Sequence, residues 1–179
     1  MAQSFQHKIC EVLVKNKVIT DQEARDLQRD FKGRSKETFD EFLVNEGFTT
    51  RDEILVALAE YYEVPAFNVM GYMFDHHLLL QFPQDFLLRH GAIPLERDEN
   101  MLAIIVSDPH NTDLLPELAE YVSDDIRLFV GLREDIIDAV MEFYEESPFC
   151  FDAERPGDES DESDELYEDE KLLEDIFKD

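Results

Sequence analysis

Glu11-Val-Leu-Val-Lys-Asn-Lys-Val-Ile-Thr-Asp-Gln-Glu23 and Glu41-Phe-Leu-Val-Asn-Glu-Gly-Phe-Thr-Thr-Arg-Asp-Glu53 are two copies of one pattern, 30 residues apart. Leu13/Leu43, Val14/Val44, Thr20/Thr50 and Glu23/Glu53 coincide. Each Thr-x-x-Glu is a capping box, in which the Thr hydroxyl accepts from the backbone N–H three residues on and the Glu reaches back to the cap. Each copy therefore reads as a short helix, a turn and a capped second helix. In the second copy Ile54, Leu55, Leu58 and Tyr61/Tyr62 make an apolar stripe at helical spacing, the signature of a packed core. Phe31-Lys-Gly-Arg-Ser-Lys36 is the basic link between copies.

Downstream the texture changes. Val64-Pro-Ala-Phe-Asn-Val-Met70 reads as a short strand entered through a proline. Asp75–Gln81 and Pro83–His90 read as short helices, the second ended by Gly91. Ala92–Glu96 and Met101–Val106 form a hairpin around Arg97-Asp-Glu-Asn100. Asp108-Pro-His-Asn111 is read as a helix start, with Leu114, Leu115, Leu118 and Tyr121 further along it. Ile126–Val130 is a further strand, and Glu134–Tyr144 a last helix with Ile136, Ile137, Val140 and Phe143 on one side. The expected fold class is α+β: an N-terminal helical repeat subdomain at residues 1–63, then a small α/β sandwich-like subdomain at 64–147. Residues 148–179 are expected to be a disordered acidic tail.

Charge narrows the partners. The formal net charge is -28; residues 1–150 hold 30 acidic and 13 basic side chains, residues 151–179 hold 14 and 3. Such a surface repels phosphate backbones and anionic headgroups, which argues against nucleic acid and for a protein partner with a basic surface. Near the end of the tail, Leu172, Leu173, Ile176 and Phe177 would share one side of a short helix, a candidate partner-binding segment. Met1–Cys10 lacks the apolar stretch of a signal peptide, and Met101–Val106 is too short to span a bilayer, so a cytoplasmic protein without membrane insertion is expected. Cys10 and Cys150, far apart in the chain, read as reduced thiols.

The order of features resembles the N-terminal domain of type II secretion and type IV pilus assembly ATPases, the MshE N-terminal-type domain. The resemblance rests on the helical repeat, Ala59-Glu-Tyr-Tyr-Glu-Val-Pro65, Leu80-Gln-Phe-Pro-Gln-Asp-Phe-Leu-Leu-Arg-His90, Ile93-Pro-Leu95 and Val106-Ser-Asp-Pro-His-Asn111, and covers residues 8–145. It implies a docking domain that connects a motor to the cytoplasmic part of an inner-membrane platform protein. Some members also bind cyclic di-GMP through a repeated Arg-Leu-Gly … Gly … Gln pattern. Here Lys8-Ile-Cys10 and Thr38-Phe-Asp40 stand where that pattern has Arg-Leu-Gly, Lys17 and Gly47 where it has Gly, and Phe31 and Tyr61 where it has Gln. Apolar spacing is kept and ligand-reading groups are lost, while Asp40 would face a dianion. Cyclic di-GMP is therefore not the expected ligand.

Enzyme chemistry finds no support. None of the six glycines precedes Lys-Ser or Lys-Thr, as a phosphate-binding loop requires. Adjacent His76 and His77 point about a quarter-turn apart on a helix and read as a surface pair, not a metal site. His110 and its neighbours read as structural. The tail lacks the Asp-x-Asp-x-Asp-Gly spacing of a calcium loop. The expectation is a non-catalytic adaptor without a cofactor that docks to a secretion or pilus component. The alternatives are a second-messenger sensor with a degenerate motif and the N-terminal part of a full secretion ATPase.

Overall fold

The computed structural model describes residues 4–32 and 37–146. The repeat comes first: α1 (Phe5–Lys15), α2 (Asp21–Phe31), α3 (Phe39–Asn45) and α4 (Arg51–Tyr62). Thr20 and Thr50 cap α2 and α4 as the sequence predicts, each hydroxyl accepting from the Glu backbone N–H at 3.3 Å and each Glu carboxylate accepting from the Thr backbone N–H, at 2.7 and 2.8 Å. Both glutamates are held below the usual carboxylate range by these backbone bonds. A third box, unforeseen in the sequence, opens α3, where Glu41 accepts from the Thr38 N–H at 2.8 Å.

The repeat persists in the turns and the core. Lys17 and Gly47 both end their helices in the left-handed region, at φ 60 and 78, and Val18 and Phe48 both donate to the carbonyl five residues back. The buried pairs Ile9/Phe39, Leu13/Leu43, Ala24/Ile54 and Leu27/Ala57 are equivalent positions of the two copies. So are Cys10 and Asp40, a thiol matched by a buried carboxyl.

The second part is a three-stranded mixed sheet of β1 (Ala92–Asp98), β2 (Met101–Val106) and β3 (Asp125–Val130), in that spatial order. β1 and β2 form the expected antiparallel hairpin, but β1 runs on to Asp98, so the turn shrinks to Glu99-Asn100 with Glu99 at φ 48. β2 and β3 run parallel, joined through α7 (Leu114–Leu118). Five of six β2 residues are buried, as befits a central strand covered on both faces. α5 (His76–Leu79), α6 (Gln84–His90) and α8 (Arg133–Glu146) pack against the hairpin. The class is α+β, as expected.

Two hydrophobic clusters result: one from α1–α4, the other from the sheet with its helices. Val130 and Leu132, at the exit of β3, belong to the helical cluster and tie the sheet to the repeat.

Two elements differ from expectation. Residues 64–70 are not a strand: they make one parallel bridge, Ala66 to Val130, flanked by Phe67 N–H donating to the Val130 carbonyl. Asn68 then accepts from the Met70 N–H through its side chain, and Gly71, at φ 72, turns the chain away. The helix expected from Asp108 begins only at Leu114, because Asp108 and Asn111 side chains each accept from the backbone N–H two residues on, making two successive turns. Among the described residues no helix is long and apolar enough to cross a membrane.

Candidate functional site

Half of the positions singled out by the degenerate motif converge, while Lys17 and Gly47 sit at helix ends outside the groove. Phe31, Thr38, Phe39, Asp40 and Tyr61 all line one groove of about 760 Å³, together with Tyr62, Ser107, Asp108 and His110. Lys8 places its ammonium 5.6 Å from the Tyr61 ring centroid. Ile9 and Cys10 do not reach the groove; they are buried in the helical core, where the Cys10 Sγ faces the Ala24 carbonyl at 3.9 Å. Burial pushes that thiol above its ordinary pKa, in keeping with its place among the packed core residues.

The groove is walled by aromatic rings. Tyr61 and Tyr62, successive at the end of α4, meet edge to face at 4.7 Å, and Phe5 packs edge-on against Tyr61 at 5.1 Å. The His110 ring lies 4.9 Å from Tyr62. Burial, with the Asp108 carboxylate next in weight, pushes the Tyr62 phenol above its ordinary range. Helical spacing places both tyrosines in a core stripe; in the structure both rings are half-buried and form the groove wall. Tyr62, Phe5 and His110 escape a sequence-based choice of site residues because no local pattern links three segments so far apart in the chain.

Charge in the groove is mixed. Arg133 donates to the Ser107 hydroxyl at 3.5 Å and to the Leu88 carbonyl at 3.4 Å, which anchors it to the wall. That approach depends on Gly91: at φ 55 a Cβ there would lie 2.5 Å from Ser107 Oγ and 2.8 Å from Arg133 Nη1. Behind the turn that carries Asp108 and His110 lies His90, whose side chain is 4% exposed. Its Nδ1 accepts from the Asn111 amide at 3.1 Å, so Nε2 carries the proton and donates to Glu117 at 3.1 Å.

Asp40 is 8% exposed, and burial pushes its carboxyl above the ordinary range; hydrogen bonds from Thr38 and nearby backbone N–H groups oppose this only in part. A carboxyl raised on folding stabilises relative to its ionised form below the unfolded pKa, and that advantage disappears as pH rises through the folded one. Asp40→Asn is therefore expected to melt higher than wild type at neutral pH, with the gap closing as pH falls through the carboxylate range. A pH series of thermal melts checks this, and a constant gap would refute it.

His76 and His77 are exposed, as expected of a surface pair, with the His76 ring 4.7 Å from Phe143. Among the described residues no group of three or more His, Cys, Asp or Glu is placed to hold a metal. Leu172, Leu173, Ile176, Phe177 and Cys150 lie outside the described residues.

This helical repeat followed by a small mixed sheet is a fold shared with MshE and with the N-terminal domain of XpsE. The structure of MshE with cdg superposes with a TM-score of 0.60 at 17% identity, covering 76% of this chain and 98% of that one. The N-terminal domain of XpsE superposes with a TM-score of 0.51 at 19% identity, covering 79% and 97%. Residues 62–148 match the MshEN domain model. In sequence it is 22% identical over 139 residues to the type IV pilus assembly ATPase PilB of Myxococcus xanthus (strain DK1622). That match takes in 78% of this chain but 24% of the relative, so the chain spans about a quarter of that protein.

Proposed function

We propose that this chain is a non-catalytic docking module of a type II secretion or type IV pilus-like system. It would act in the cytoplasm and engage a platform or motor component through a basic surface on that partner. The observation that carries the reading is the groove: Phe31, Thr38, Asp40 and Tyr61 occupy the positions at which the family's ligand pattern has polar and glycine residues. A buried carboxyl and aromatic walls suit a protein side chain better than a dianionic nucleotide. The same reading divides the chain into a repeat at 1–63, an α/β part at 64–147 and a tail at 148–179. It makes Leu172, Leu173, Ile176 and Phe177 a second contact.

A second reading has an observation of its own. The likeness to MshE with cdg, together with Lys8 and Arg133 beside the groove, favours a sensor of cyclic di-GMP. Two measurements separate them. A pull-down with the cytoplasmic domain of the platform protein is expected to retain the full chain at low salt, and loss of retention would sink the docking reading. Calorimetry with cyclic di-GMP is expected to be silent, and a saturable heat lost in Arg133→Ala would establish the sensor instead.

A further inference from the structure

A second surface, remote from the ligand pattern, lies between α8 and the loop of residues 69–74. It is a groove of about 450 Å³ with two unlike walls. The loop wall is apolar: Met73 is 91% exposed, Met70 59% and Tyr72 42%, three large side chains on one short segment. Exposure this concentrated is costly in water unless the patch is covered by something. The loop is held in place by its own bonds. Asn68 accepts from the Met70 N–H at 3.1 Å, the Tyr72 N–H donates to the Val69 carbonyl at 3.2 Å, and Gly71 supplies the positive φ. Tyr72 is clamped edge-on between Phe67 at 5.2 Å and Phe74 at 4.8 Å, which leaves the two methionines projecting.

The opposite wall is acidic. Asp135, Asp138 and Glu142 recur at helical spacing on α8 and line the groove. Arg51 pairs with Asp135, while Asp138 and Glu142 form no ion pair among the described residues. Glu134 beside them is raised by burial, with Glu41 and Asp138 adding to the effect, as a crowded field of carboxylates would produce.

We propose that this groove is the docking site for an amphipathic basic helix of a partner protein. Apolar residues on one side of that helix would lie on Met70, Tyr72 and Met73, and its lysines or arginines would face Asp138 and Glu142. Methionine, unbranched and polarizable, suits a surface that accepts helices of varied sequence. The charge selects among occupants. The chain's own Tyr167–Phe177 has an apolar stripe but carries Glu168, Asp169, Glu170, Glu174 and Asp175, which the acidic wall repels. An anionic lipid surface is opposed for the same reason.

This inference rests on the docking reading, and its test keeps the two apart. A fluorescent leucine–lysine amphipathic helix is titrated into the full chain, with a leucine–glutamate helix, a scrambled lysine peptide and phosphatidylcholine–phosphatidylglycerol vesicles as controls. Met70→Ser/Met73→Ser is expected to weaken binding of the first helix about tenfold. Asp138→Asn/Glu142→Gln is expected to weaken it about fivefold and to flatten its salt dependence. These side chains are at the surface, so melting temperatures should stay close to wild type. Equal binding by wild type and both variants, equal binding of the scrambled peptide, or tighter binding to the vesicles would each overturn the proposal. If the platform domain is retained equally by the methionine variant, docking stands and this groove falls. If the helix binds here and the platform domain is not retained, the groove stands and the platform assignment falls.

Discussion

Phe86→Ala is expected to destabilise the domain by about 3–5 kcal/mol, a large share of the roughly 5–15 kcal/mol available to a domain. Phe86 is 1% exposed on α6 and belongs to the cluster beneath the sheet. Its ring meets Phe82 at 6.2 Å, Tyr121 at 5.2 Å and His90 at 4.8 Å. Truncation removes the transfer energy of the ring and leaves a void that three aromatic neighbours on short elements cannot fill. The loss would also reach the candidate site. His90 holds Asn111, and the Asp108–Asn111 turn carries the rim of the aromatic groove. Urea unfolding followed by far-ultraviolet circular dichroism measures the cost. A shift of less than about 0.5 kcal/mol, the range of ordinary surface changes, would mean that this cluster is not the core described.

The range of the forces involved decides how much of this fold is legible in the sequence. The repeat is legible because caps and helical stripes are local. Thr20, Glu23, Thr50 and Glu53 determine two helix starts through bonds three residues long. Residues 64–70 mislead because their β-rich composition outweighs Pro65 and Asn68 only when a neighbour offers more than one bridging residue, and here only Val130 does. The start at Asp108 misleads because an acceptor side chain that caps a helix also makes an isolated turn, and the residues after it decide which forms. Pro109, His110 and Asn111 favour the turn, with Asn111 held by buried His90. The motif positions of the groove can be named from the sequence, but Tyr62, Phe5 and His110 cannot, since only tertiary packing brings those rings together. The methionine loop is hidden for the same reason: Met70 and Met73 look like core residues until their exposure is known.

Arg51→Met is the second large effect, and it acts in opposite directions on stability and on binding. Arg51 is the first residue of α4, where a cation opposes the helix dipole. Its equivalent in the first copy, Asp21, is the residue such a position favours. What it gains is Asp135 on α8, with Nε to Oδ1 at 3.2 Å and Asp135 only 7% exposed. This pair connects the helical repeat to the helix that covers the sheet. Breaking a fully buried pair costs about 3–5 kcal/mol because a carboxylate is stranded; since Arg51 is 39% exposed, water recovers part of this, and about 1–3 kcal/mol is expected. Asp135→Asn in the same chain should restore most of the loss, because the stranded charge, not the missing contact, is the penalty. Unfolding of the two single variants and the double variant tests this, and additive losses would refute it. Arg51 also lines the groove beside Met73, so removing it leaves Asp135 to join Asp138 and Glu142. Under conditions where both proteins remain folded, Arg51→Met should bind the leucine–lysine helix more tightly than wild type does. Weaker binding by the folded variant would place the docked helix somewhere other than along α8.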